Sequence, residues 1–154
     1  VKVPFLKEAE ETQHEGPPQT WPAAYVPTRN AIFYAIAASW AETLGAKYLI
    51  GGHNATDAET YPDATIGFVR AMNRVLGFSP LSKEIALVRI VVPLSKLDKV
   101  GTIKLGAVLE LPFELTWSCY EDKERACGKC KACLLRLKSF NGASLRDPLD
   151  YERG

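Results

Sequence analysis

Four cysteines, Cys119, Cys127, Cys130 and Cys133, stand close together in the spacing C-x7-C-x2-C-x2-C. Clustered thiols with two C-x2-C steps suit a metal, because each short turn aims a pair of sulfurs at one centre. Gly128 lies inside the first step, where a tight turn wants a permissive backbone. Zinc is the expected ion. It accepts tetrahedral thiolates, does no redox chemistry and contributes folding energy directly. Four protein ligands leave no open coordination position, so the site is expected to be structural, which argues against a zinc hydrolase. A zinc ion with four thiolates is net negative, and Lys123, Arg125, Lys129, Lys131 and Arg136 are near in sequence to offset it. An iron–sulfur cluster is a second option, though the familiar ferredoxin run ends in Cys-Pro and Leu134 follows the last cysteine here. Disulfides are a third, disfavoured in a chain that shows no secretory segment.

Other residues can do chemistry only if the fold gathers them. Arg29 and Asn30 fall at an expected helix start, where anions are favoured; Arg29 offers a fork for phosphate or carboxylate, or is simply a surface arginine beside a cap. Gly51 and Gly52 close an expected strand, the place where α/β proteins bind ligands, or else form a turn only. Asp57 and Asp63 follow in the next loop. One can hold Mg²⁺ with a nucleotide or a heterocycle edge, and Asp63 serves equally well as a helix cap. Lys99 can stabilise developing negative charge, or is a solvated helix residue. His14 and His53 are the only histidines. Neither has a nucleophile at motif spacing, so surface or loop roles are expected for both. Trp117 and Tyr120 flank the first cysteine and either stack on a flat ligand or pack over the metal knuckle.

Elements must position these groups. A helix is expected from Arg29 through Ala31–Leu44, with Gly45 as its stop. Residues 47–52 (KYLIGG) and 87–92 (LVRIVV) read as buried strands. A helix over 66–76 should present Phe68, Met72 and Val75 or Leu76 on one face, and another helix spans 97–109 with Asp98 near its start. Residues 53–63 read as polar and turn-like, and 7–28 as a long loop into which Trp21 and Tyr25 can dock. Strands alternating with helices imply α/β with a parallel sheet. Two parallel strands make a poor sheet alone, so an absent N-terminal portion is expected to supply the others. Three parts are expected: 1–25 as a loop or mobile segment, 26–112 as α/β, and 113–154 as a four-cysteine lobe. The chain has 154 residues, 47% hydrophobic and 24% charged, with net charge +1. That balance gives no electrostatic case for nucleic acid, and no apolar run reaches the roughly 20 residues a membrane span needs. A cytoplasmic location follows by default.

In order along the chain stand Val26-Pro27-Thr28-Arg29-Asn30 with Phe33; Asp57 and Tyr61-Pro62-Asp63; Pro93-Leu94 with Leu97 and Lys99; Thr116-Trp117-Ser118-Cys119-Tyr120; Cys127-Gly128-Lys129-Cys130 with Cys133, Arg136 and Phe140; and Asp147-Pro148. Together these blocks resemble the C-terminal two-thirds of the 7-cyano-7-deazaguanine synthase family, over about residues 26–148. The resemblance implies a Rossmann-like parallel sheet of the adenine nucleotide alpha-hydrolase type, incomplete at its N-terminus, with a zinc-binding helical lobe. It implies a PP-loop ATP pyrophosphatase, a C–N ligase that makes a nitrile from 7-carboxy-7-deazaguanine and ammonia with ATP and Mg²⁺, for queuosine or archaeosine synthesis. Arg29, Asp57 and Lys99 become the implied catalytic residues. Arg29, Asn30, Gly51, Gly52, Asp57, Tyr61 and Asp63 become the implied substrate and nucleotide contacts. A homodimer is implied, and no direct nucleic-acid or membrane partner. The family's Ser-Gly-Gly-x-Asp-Ser phosphate loop is not in this sequence, and Gly51-Gly52-His53-Asn54 is no substitute. A separate N-terminal half carrying that loop is therefore a further expected partner, and the chain alone is expected to be inactive. Gly101 also replaces the family's usual acidic residue after the lysine, and Thr65, Ile66 and Gly67 replace charged residues after Tyr-Pro-Asp. The competing readings are another PP-loop pyrophosphatase of the tRNA-thiolating type, which would want cysteines outside the metal set, and a non-catalytic zinc-bearing module for RNA, which would want a more basic surface.

Overall fold

A computed structural model describes residues 25–78, 87–121 and 124–152 of the chain. The expected loop over 1–25 lies outside these residues apart from Tyr25, and so do Trp21 and His14. The described residues fall into two compact units, one from Tyr25 to Asp98 and one from Lys99 onward. The boundary at 98/99 groups the helix after Asp98 with the cysteine lobe, apart from the α/β segment with which the sequence groups it.

The first unit is α/β. Helix α1 spans Arg29–Thr43 and ends where Gly45 turns left-handed at φ 67°. Strand β1 is Tyr48–Ile50 and pairs in parallel with β2, Arg89–Val91, in the register Tyr48 to Arg89, Leu49 to Ile90 and Ile50 to Val91. Between them run a short helix α2, Ala55–Thr60, a 3-10 turn, Pro62–Ala64, and helix α3, Ile66–Leu76. Sequence periodicity does not reveal α2, since its six residues, four polar ones and two alanines, carry no apolar stripe. Its signal was local: Asn54 and Asp57 form a reciprocal capping box.

The core of this unit joins α1 and α3 to one face of the strand pair. Tyr34, Val69, Ile90 and Val92 are buried together, with Leu49, Phe68, Met72 and Leu76 packed against them. Ala38, Ala41 and Val88 extend the core. Of the expected α3 face, Leu76 turns inward and Val75 outward, and Val69 is the deepest residue of the helix. Asn73 finishes the outer edge of β2. Its amide donates to the Ile90 carbonyl at 2.9 Å and its carbonyl oxygen accepts the Ile90 N–H at 2.8 Å, as a further strand would.

The second unit holds helix α4, Lys99–Val108, a 3-10 turn, Phe113–Leu115, and helix α5, Lys131–Gly142. Gly106 allows Phe113 to sit against α4, and Gly142 allows Val100 to sit against α5, since a Cβ at either would collide with those side chains. The tail returns to the cysteine loop: Ala126 N–H donates to Asp150 O and Glu152 N–H to Ala126 O, in a parallel bridge between Ala126 and Tyr151.

Candidate functional site

The cysteine centre is built mainly from local turns. The four Sγ atoms lie within 4.8 Å of one another. Cys127 and Cys133 are 4.0 Å apart, sulfur to sulfur. A tetrahedral ion with bonds of about 2.3 Å holds its sulfurs roughly 3.8 Å apart, so the arrangement fits a single metal ion. All four cysteines are free of disulfides. Three are buried and Cys130 is half-buried. Backbone amides point at the sulfurs: Glu121 N–H and Cys127 N–H donate to Cys119 Sγ, both at 3.3 Å, Cys130 N–H to Cys127 Sγ at 3.3 Å, and Cys133 N–H to Cys130 Sγ at 3.4 Å. Such donors favour thiolate over thiol and so prepare the ligand set. Burial raises the Cys130 thiol, but N–H groups of Tyr120 and Cys133 and the thiols of Cys133 and Cys127 pull it down to about 6. Burial and the hydrogen bond with Cys130 push Cys133 up to about 12. Metal entry must therefore displace protons that the cluster otherwise shares. Gly128 has φ 69°, the left-handed conformation its turn requires, and the Tyr151 ring lies over it.

Arg136 does not serve as a loose counter-charge to the thiolates. It forms a buried bidentate pair with Asp147, Nε to Oδ2 at 2.7 Å and Nη2 to Oδ1 at 2.9 Å. Nη1 donates to Thr116 Oγ1 and Thr116 O, and Nη2 also to Phe113 O. Asp147 accepts from Tyr151 OH at 2.7 Å and from Leu149 N–H at 3.1 Å. Burial raises the Asp147 carboxyl, but Arg136, Tyr151 and the Leu149 amide together hold it below the usual carboxylate range. Trp117 turns its indole N–H to Cys119 O at 3.0 Å, and Tyr120 stays half exposed. Lys123 lies outside the described residues.

In the first unit, several expected ligand residues gather at the C-terminal ends of the parallel strands. Asp63 reaches back to α1: the Asn30 N–H donates to its carboxylate and the Asn30 amide to its carbonyl, each at 3.2 Å. Asp63 thus caps α1 across 33 residues of sequence, and Thr65 is the cap of α3. Thr28 precedes Arg29 at φ 56°, a left-handed conformation that strains a β-branched residue. Arg29 is half-buried beside it. Asp57 accepts the Asn54 N–H at 3.4 Å within the capping box. Tyr61 lies parallel to Tyr25, to within 9°, with ring centroids 6.5 Å apart. Gly51 is packed from below: a Cβ there would collide with the Tyr34 hydroxyl. Gly52 borders open space, with nothing within 4 Å of a Cβ. Lys99 opens α4 in the second unit.

The folded cysteine knuckle and the strand-end cluster mark the chain as an α/β protein with a metal-competent thiol lobe. It belongs to the queuosine biosynthesis protein QueC family, whose model matches residues 4–144. Among curated relatives, a 7-cyano-7-deazaguanine synthase of Thermoplasma acidophilum is 45% identical over 142 residues, 90% of this chain and 58% of that protein. One of Chlorobium phaeobacteroides is 42% identical over 132 residues, 86% of this chain and 58% of that protein. Another, of Oceanobacillus iheyensis, is 42% identical over 141 residues, 92% of this chain and 63% of that protein. The chain thus spans about three-fifths of the length of these relatives.

Proposed function

We propose that this chain is the C-terminal part of an ATP-dependent 7-cyano-7-deazaguanine synthase acting in queuosine or archaeosine synthesis. The observation that carries the reading is the family match over residues 4–144, joined to a thiol cluster folded to tetrahedral dimensions. In this reading the carboxylate of 7-carboxy-7-deazaguanine attacks ATP, giving an acyl adenylate and pyrophosphate. Ammonia displaces AMP and leaves the amide. The amide oxygen attacks a second ATP, releasing a second pyrophosphate and giving an O-adenylated imidate, which loses AMP and its N–H protons to leave the nitrile. Arg29 and Lys99 would bind and neutralise phosphate or acyl charge, and Asp57 would hold Mg²⁺. Asn30, Gly51, Gly52, Tyr61 and Asp63 would shape the ligand site. The cysteines would hold one structural zinc, which supplies folding energy to residues 113–154 and no reactive position.

The same reading makes residues 26–112 part of a Rossmann-like sheet of the PP-loop type, completed by a segment bearing the phosphate loop. Asn73 already occupies the outer edge of β2, which leaves the β1 side for completion, and the exposed Tyr48 and Ile50 side chains leave a face of the sheet to be covered. A second copy of the protein, a cytoplasmic setting and ammonia as the nitrogen source complete the proposal. No helix among the described residues is long and apolar enough to cross a membrane. The test supplies the purified chain with its N-terminal segment, or uses the full-length protein, and adds 7-carboxy-7-deazaguanine, ATP, Mg²⁺ and ammonia. Nitrile detected by mass spectrometry supports the proposal. Its absence with metal-loaded, folded protein refutes it.

A further inference from the structure

Two buried polar atoms at the strand ends have no hydrogen-bond partner among the described residues: the hydroxyl of Tyr34 and Nε2 of His53. They belong to one cluster. The two rings meet edge to face at 5.7 Å, and Tyr34 also touches Phe68. Tyr34 is only 8% exposed. An unpaired polar atom in such a place destabilises the fold, so its retention calls for an explanation.

Three observations narrow what would satisfy them. The neighbours of Tyr34 are apolar, since it packs with Val69, Ile90 and Val92. An ionised group buried there without a counter-charge would be heavily penalised, so the missing partner is uncharged. The place is the C-terminal end of parallel strands, beside Gly51, whose lack of a Cβ admits the Tyr34 hydroxyl, and Gly52, which borders open space. Finally, Asn30 lies one helical turn before Tyr34 on the same face of α1 and is held by Asp63. Two residues before Asp63, Tyr61 lies parallel to Tyr25, which places flat aromatic surface close by.

We propose that Tyr34 OH and His53 Nε2 receive the uncharged polar edge of a flat heterocyclic base bound at the ends of β1 and β2, entering from the Gly52 side. The inference rests on the synthase reading, which offers two such bases: the deazapurine of the substrate and the adenine of ATP. Both protein atoms are already desolvated, so a ligand that pairs them gains hydrogen bonds without stripping water from the protein side.

The test uses full-length, metal-loaded protein and calorimetric titration with 7-carboxy-7-deazaguanine and, separately, with ATP and Mg²⁺. Tyr34→Phe removes only the hydroxyl. His53→Phe keeps the ring against Tyr34 and removes both nitrogens, and His53→Gln restores a polar atom. Both phenylalanine variants are expected to weaken one of the two ligands about tenfold, with partial rescue by glutamine and no fall in melting temperature. Loss for the deazapurine assigns the edge to the substrate, and loss for ATP assigns it to adenine. Unchanged affinity for both ligands overturns the proposal, as does a lowered melting temperature with unchanged affinity. Nitrile formation by wild-type protein alongside unaltered variant binding sinks this inference alone. Failure of wild-type protein to bind either ligand sinks the synthase reading with it.

Discussion

The guanidinium of Arg136 lies over the Phe140 ring, 5.1 Å from its centroid, with Asp147 on its edge. Both side chains of that pair are almost fully buried, at 8% and 3% exposure. Removing one charge strands the other, so Asp147→Asn is expected to cost about 3–5 kcal/mol in urea denaturation at pH 7. The Asp147 pKa is lowered by folding. Its contribution is therefore complete above the unfolded carboxylate value of about 3.9 and fades only as pH falls through the lower folded value. Neutral pH thus reads the whole effect. The thiols make a separate prediction. Cys133→Ser, or treatment with a strong chelator, should reduce the bound metal by at least about half and lower the lobe's helical signal, because metal binding and folding are linked there. Elemental analysis beside circular dichroism checks both. The cysteine spacing was legible because its geometry is set within a few residues. The Arg136–Asp147 pair stood in the sequence only as two motif letters, since periodicity says nothing of a contact across 11 residues. Tyr34 and His53 were missed as a pair because only the packing of α1 on the strand ends brings them together.

Elements show the same division between local and long-range signals. Helix α3 was readable because its apolar residues recur with helical period, whereas its cap is Thr65, which accepts the Phe68 N–H at 3.2 Å, and not Asp63. The start of α1 was readable as a place but not as a mechanism. Thr28 makes no side-chain cap, and the acceptor comes from Asp63. Asp63→Ala should accordingly destabilise the first unit by about 1 kcal/mol, with Asp63→Asn largely restoring it, as measured by denaturant midpoint. Asn73 matters more. It answers both backbone groups of Ile90, a residue only 3% exposed. Asn73→Ala leaves them unpaired and should cost about 2 kcal/mol or more, with faster exchange of the Ile90 amide in NMR.

At the scale of the whole molecule, the uncovered apolar surface is the feature to explain. Helices α1 and α3 share one core with Leu49 and Ile90, whereas Tyr48, Ile50 and Val91, which alternate with these residues, are 61%, 75% and 37% exposed. Helix α1 adds Ile32, Phe33, Ile36 and Trp40, each more than half exposed and set at helical spacing. Parallel sheets are stable when both faces are covered, and an apolar surface of this extent marks an interface. The related synthases are longer than the match, which covers 58–63% of their lengths. In our reading that extra length supplies strands beside β1 and the cover for these side chains. Hydrogen exchange by mass spectrometry tests this directly. Peptides covering Ile32–Ile50 should exchange at least tenfold more slowly in the full-length protein than in the 154-residue chain, and those covering Lys131–Gly142 should change little. Equal rates for Ile32–Ile50 in both would mean that the apolar face has some other occupant, and the proposed completion of the sheet at β1 would be wrong.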